Sequence, residues 1–136
     1  MSESKSWVVV ADASVLVDAL SSKGAIADRA RSALEGRRLA APEHLRIETF
    51  HLIHSRLLGR KINSTIAVEA IKDLAAVPLE LLPTQLILRR MWELRDNLSG
   101  YDAAYVAAAE YLGVPLVTFD RRLASVPGQR CEVVVP

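Results

Sequence analysis

The sequence predicts an α/β fold in three layers, α/β/α, with a central mostly parallel sheet of four to five short strands surrounded by helices. Three observations predict it. Short apolar runs rich in Val or Leu alternate with longer stretches of helical periodicity. Glycine and proline punctuate the chain between them. Two of the apolar runs end beside an aspartate, and open parallel sheets collect functional groups at the carboxyl ends of their strands.

Taken in order, Trp7 to Ala11 reads as a buried strand that ends at Asp12, and Ala13 to Leu20 as a short helix broken by Ser21-Ser22-Lys23-Gly24. Ile26, Ala30, Ala33 and Leu34 give the Ala25 to Leu34 stretch the spacing of an amphipathic helix, which Gly36 ends. Pro42 opens a helix to Leu58, closed by Gly59, because proline suits a first helical position. A further helix spans Ser64 to Ala76, capped by Asn63 or Ser64. Pro78 to Leu82 reads as a brief strand and Thr84 to Leu94 as a helix. Ser99-Gly100 precedes an Ala-rich helix from Tyr101 to Leu112 that Gly113 terminates. Val114 to Thr118 is a strand, Asp120 to Ala124 a helical turn, and Cys131 to Val135 a last strand. No repeat or linker divides the chain, so residues 1–136 read as one domain.

Composition narrows the function classes. Hydrophobic residues make up 51% and charged residues 24%, which is enough apolar mass for a core. The polar opening Met1-Ser2-Glu3-Ser4-Lys5-Ser6 is unlike a secretory signal, and no apolar run is long enough to span a membrane, so a cytoplasmic location is expected. Cys131 is the single cysteine and supports neither a disulfide nor a zinc site. A net charge of +1 excludes a protein that coats nucleic acid by charge alone. It leaves room for a nuclease, whose acidic metal pocket offsets basic residues elsewhere, and the paired arginines Arg37-Arg38, Arg89-Arg90 and Arg121-Arg122 suit phosphate or solvent equally.

Four acids, Asp12, Glu48, Asp102 and Asp120, are the candidates for such a pocket. Asp12 and Asp120 each lie just past the carboxyl end of a strand, so they share one sheet edge if those strands are parallel. From Asp102 to Leu112 a helix covers roughly 15 Å at about 1.5 Å per residue. The return from Val114 to Asp120 covers roughly 20 Å at about 3.3 Å per residue. The two nearly cancel, which sets Asp102 against Asp120. Glu48 flanks the stripe of Leu45 and Leu52 on its helix, and spacing alone does not bring it to the others. Each acid also has a plain structural use: Asp12 and Asp120 as helix caps, Asp102 as a dipole or capping-box partner of Ser99, and Glu48 as a solvated edge residue.

Clustered carboxylates repel one another unless a cation sits among them. All-oxygen ligation selects a hard ion, Mg²⁺ or Mn²⁺, and metal-assisted phosphodiester hydrolysis is the chemistry such a site supports. Ser14 and Thr118, each two residues from an acid, are placed to hydrogen-bond the carboxylates or waters.

Four segments carry a resemblance. Val8-Val9-Val10-Ala11-Asp12-Ala13-Ser14 resembles the first motif of PIN-domain ribonucleases, and Pro42 followed by Glu48 in an apolar helix resembles the second. Ser99-Gly100-Tyr101-Asp102-Ala103-Ala104-Tyr105-Val106-Ala107 resembles the third, and Leu116-Val117-Thr118-Phe119-Asp120-Arg121-Arg122-Leu123 the fourth. Order and size are similar to the VapC toxins of type II toxin–antitoxin systems, over nearly the whole chain. The resemblance implies a PIN-like fold and a Mg²⁺- or Mn²⁺-dependent endoribonuclease. It also implies a homodimer inhibited by a VapB-like antitoxin, in a heterotetramer or larger complex. It implies that Asp12, Glu48, Asp102 and Asp120 bind metal, with Ser14 and Thr118 assisting. Arg95, Asn97 and Arg121 become candidates for RNA contacts.

Other readings use the same residues. His44, Glu48, His51 and His54 share a predicted helix and raise a zinc site, against which His44 and His54 are expected to lie away from Glu48 around the helix. An Asp-nucleophile phosphatase usually needs an acid where Ser14 stands, and a phosphoacceptor receiver domain needs a lysine beyond Lys72, the last in the chain. A catalytically inactive PIN-like module that binds RNA or protein is the non-enzymatic alternative. The helix pair from Pro42 to Ala76 carries Phe50, Ile53, Leu57, Leu58, Ile62, Ile66 and Ile71, more apolar surface than a small sheet covers, and predicts a groove for an antitoxin segment.

Overall fold

Five parallel strands form one sheet in the order β3-β2-β1-β4-β5, seen in a computed structural model that describes residues 7–136. The strands are β1 (Val8–Ala11), β2 (Arg38–Pro42), β3 (Leu79–Leu82), β4 (Leu116–Val117) and β5 (Val133–Val134). The helices are α1 (Ala13–Ser21), α2 (Gly24–Leu34), α3 (Leu45–Leu58), α4 (Ser64–Ala76), α5 (Leu88–Glu93) and α6 (Gly100–Leu112). The three-layer α/β/α arrangement is the one expected.

Alternation along the strands sorts the two faces. Val9, Leu39 and Val117 point to the side covered by α2, where Ala30, Ala33 and Leu34 meet them. Val10, Ala40 and Leu116 point to the other side, which α3, α4, α5 and α6 cover through residues such as Leu45, Ile53, Ala70 and Val106. Helix α1 serves both sides, giving Val15 to one and Leu16 and Val17 to the other. Residues of a strand buried on both faces need no polar alternation, which is why these strands read as plain apolar runs.

One strand differs from expectation. Pro42 does not open a helix; it closes β2, opposite Leu82 of β3. The buried stretch Leu39, Ala40 and Ala41 is too short and too rich in alanine to announce a strand. Proline is tolerated there because the hydrogen-bond ladder is ending. Glu43 and His44 then turn the chain, and α3 begins at Leu45. The expected Thr84 to Leu94 helix is divided into a 3₁₀ turn, Thr84–Leu86, and α5, with the buried Ile87 at the junction. The last two strands are shorter than the runs that signalled them.

Helix α6 is buried along its whole middle, Ala103 to Ala109, where small side chains let it lie close to the sheet. Ser99 caps it by accepting from the Asp102 amide at 3.2 Å, and Gly113, left-handed at φ 69°, ends it. β1 has β2 on one side and β4 on the other, with Val10 opposite Leu116 and Ala11 opposite Val117. The crossovers diverge between β1 and β4, and this is where open parallel sheets form their sites.

Candidate active site

At that point Asp12 leaves β1 and is 6% exposed. Ser14 Oγ donates to its Oδ1 at 2.6 Å and Thr118 Oγ1 donates to its Oδ2 at 2.5 Å. Each hydroxyl also accepts a backbone amide from the loop after β4: Ser14 from Phe119 at 3.1 Å, Thr118 from Asp120 at 2.9 Å. An amide only donates and a carboxylate only accepts, so both hydroxyl protons are committed to Asp12. The pair therefore fixes the carboxylate plane and ties the ends of β1 and β4 together. Asp12 also caps α1 through the Val15 amide at 3.3 Å, so one buried carboxylate serves the helix and faces the strand ends. Burial pushes its pKa up, partly offset by the bonds from Ser14 and Thr118, and Glu48 adds to the upward push.

Asp102 and Asp120 meet across the same edge, as the helix and strand lengths require. Asp102 is pushed up by burial first and then by Asp120 and Glu48. Asp120 is held down, because Arg122 grips both its oxygens, at 2.5 Å from Nη2 and 3.0 Å from Nε. The same guanidinium lies 3.7 Å from Asp102. Asp120 also caps the 3₁₀ turn Arg121–Ser125 by accepting from the Arg122 amide.

Glu48 joins the group from α3. Tyr105, buried within α6, donates to its Oε1 at 2.7 Å, and His44 Nε2 stands 3.6 Å from the same oxygen. His44 was expected to lie away from Glu48; residues four apart share a helix face, and the geometry corrects that expectation. Burial holds His44 below the usual histidine pKa, against the pull of Glu48 and Asp102. Burial and the bond to Glu48 together raise the Tyr105 pKa far above its ordinary value.

The PIN domain family matches residues 9–129. Ribonuclease VapC1 of Mycobacterium tuberculosis is 38% identical over 125 residues, which is 91% of this chain and 94% of that protein. The chain belongs to the PIN-domain family, in its VapC-like group. The fold is also that of VapC20 from M. tuberculosis, with a TM-score of 0.66 at 18% identity, covering 88% of this chain and 95% of that one. VapBC2 from Rickettsia felis, solved with a fragment of promoter DNA, gives a TM-score of 0.62 at 12% identity over 94% and 98% of the two chains.

In this PIN domain the four acids are linked electrostatically, yet among the described residues no three acidic, histidine or cysteine side chains stand close enough to close around one ion. Asp120 is turned to Arg122 and Glu48 to Tyr105. The chemistry of the donor set still fits a hard cation: every candidate donor is a carboxylate oxygen, and burial first, with neighbouring acids adding to it, pushes two of the acids upward.

The zinc reading fails on placement, since His51 and His54 are exposed on α3 and only His44 approaches Glu48. Arg95 stacks over Trp92 at 4.2 Å and donates to its carbonyl, and Asn97 is exposed in the turn before α6. Arg121 is exposed and makes no ion pair with the acids; its neighbour Arg122 does. Sequence reasoning gave no role to Tyr105 or Arg122 and set His44 apart from Glu48. Spacing held the signal for two of them: Tyr105 lies three residues from Asp102 on one helix, and His44 four from Glu48.

Proposed function

We propose that this chain is a divalent-metal-dependent endoribonuclease that serves as the toxin of a toxin–antitoxin pair. The observation that carries the reading is Asp12, buried, held at both oxygens by Ser14 and Thr118, and coupled through Glu48 to Asp102 and Asp120. Relatives named as ribonucleases, at up to 38% identity over nearly the whole chain, support the activity. In this reading Asp12, Glu48, Asp102 and Asp120 hold the ion, Mg²⁺ or Mn²⁺. The ion supplies a water of lowered pKa and neutralises charge developing at phosphorus.

The chain's own residues prepare that chemistry. Ser14 and Thr118 orient Asp12 and have no proton to spare for the reaction, so they are positioning residues. Tyr105 addresses one Glu48 oxygen and leaves the other for a ligand. Arg122 competes with a cation for Asp120, and its planar fork equally suits a substrate phosphate. It joins Arg121 as an arginine to test for RNA contact.

The test is cleavage of a transcriptome-derived RNA pool in Mn²⁺, with and without EDTA, followed by end mapping. Asp12→Asn should abolish cleavage and leave the circular dichroism spectrum unchanged. Full activity in that variant would sink the assignment, and EDTA-insensitive binding without turnover would instead mark an inactive module.

A VapB-like antitoxin is the proposed partner, supported by the solved VapBC2 pair of the same fold. A groove of about 350 Å³ runs between α3 and α4, lined by Phe50, Leu57, Val68 and Ile71, with Phe50 and Val68 exposed. Of the apolar set predicted there, Ile53 is core, while Phe50 and Leu58 remain exposed. An apolar helix face of the antitoxin is the proposed occupant. Phe50→Glu should weaken antitoxin binding in calorimetry without altering RNA cleavage by the free chain.

A further inference from the structure

Three aromatic rings run outward from the core at the rim of the acid pocket. Tyr105 is 1% exposed. His44 lies against it with ring centroids 4.9 Å apart, and Tyr101 in turn lies against His44 at 5.2 Å, tilted by 41°. Tyr101 is 65% exposed. Two of the three rings also face an acid. Tyr105 and His44 both face Glu48 Oε1, and Tyr101 immediately precedes Asp102 in α6. His44 Nε2 is buried and makes no hydrogen bond, so ring contacts hold that side chain where it is.

We propose that Tyr101, braced by His44, is a stacking platform for one unpaired nucleobase of the strand whose phosphodiester lies at the acids. The inference rests on the ribonuclease reading and adds the form of the substrate to it. A cation among the carboxylates would hold the phosphate alone, so a strand at the pocket needs an uncharged contact beside it to fix the neighbouring base. A tyrosine face supplies it, and stacking is tolerant of base identity because every base has a π-face. A ring already packed on one side loses little freedom when a base covers the other. A paired base is stacked within its own duplex and cannot lie on this shelf, so the substrate presents a single strand, loop or bulge. Two other exposed aromatics are placed differently. Tyr111 lies near the opposite end of α6, roughly 14 Å along the helix from Asp102, and Trp92 is covered by Arg95 at 4.2 Å.

The experiment uses the full chain and a short single-stranded RNA in which 2-aminopurine is walked through successive positions. In the Asp12→Asn background, one position should be quenched on binding. Adding Tyr101→Ala should abolish that quench and weaken binding about tenfold, while Tyr101→Phe should keep both. In the catalytically intact chain with Mn²⁺, Tyr101→Ala should raise KM by a similar factor, and the same RNA annealed to its complement should resist cleavage. Unchanged quenching and affinity in Tyr101→Ala, with wild-type cleavage intact, overturns the shelf alone. Absence of Mn²⁺-dependent cleavage by the wild-type chain overturns the ribonuclease reading and the shelf with it.

Discussion

Replacing Thr118 by valine keeps the shape of a fully buried side chain and removes only its hydroxyl. Two hydrogen bonds go with it, one to Asp12 and one from the Asp120 amide. A bond to an ionised group is worth about 1.5–3 kcal/mol, and water cannot replace it at a carboxylate only 6% exposed. The amide bond adds somewhat less, so the variant should lose about 3 kcal/mol at neutral pH, a large part of a typical stability of about 5–15 kcal/mol. Urea denaturation would show this as a midpoint lowered by about 1–2 M at an unchanged slope.

The pH dependence separates lost charge stabilisation from lost packing. Burial holds the Asp12 pKa above its ordinary value, so this group's contribution to stability is complete at low pH and is lost as pH rises through the folded pKa. Removing the Thr118 donor raises that pKa further. The deficit of the variant therefore grows as pH climbs from the wild-type pKa to the variant's, and is constant above both. Below both, a bond to a neutral acid leaves a cost of about 1 kcal/mol. A deficit that is the same at acid and neutral pH, or smaller than about 1 kcal/mol throughout, would refute the reasoning.

Three other perturbations address neighbouring parts of the site. Arg122→Ala should let the depressed Asp120 pKa rise toward its ordinary value, so that this group contributes less stability at neutral pH and less is lost on acidification; carboxyl NMR titration reads the shift, and calorimetry should show tighter Mn²⁺ binding. Tyr105→Phe should cost about 1 kcal/mol, since Glu48 is partly exposed and water replaces the lost donor; the melting-temperature increase given by Mn²⁺ should also shrink, and an undiminished increase would remove Glu48 from the ligand set. Asn63→Ala deletes the cap on the Ile66 amide at 2.8 Å and should cost about 1 kcal/mol in chemical denaturation while RNA cleavage is retained.

The parts of the site carried by long periodic elements were legible in the sequence. α6 and the run after it have lengths that nearly cancel, and this alone set Asp102 against Asp120. The position of Asp12 followed from a valine run that could only be a buried strand. β2 was not legible, because three buried residues ending in proline look like a helix entrance, and the energy that makes them a strand comes from neighbours distant in sequence, Val9 and Leu79 among them. Glu48 could not be placed from spacing, since its position depends on a phenol donated from α6. The choice between Arg121 and Arg122 was equally closed: both follow Asp120 in one short turn, and only the turn's path decides which guanidinium folds back onto the acid.

The bond between Thr118 and Asp12 joins residues 106 apart in the chain. On the ribosome β1 emerges early and has no β4 to pair with until almost all of the chain has been made. The carboxylates cannot be gathered before that pairing, because Asp120 and the hydroxyl that orients Asp12 belong to the last segments synthesised. Domains tend to fold as their amino-terminal parts appear, and here that order leaves the gathering of the acids until last. A fragment that stops short of Leu116 has β1 but neither Thr118 nor Asp120, so its Asp12 lacks one of the two hydroxyls that hold it and the acid that stands beyond β4.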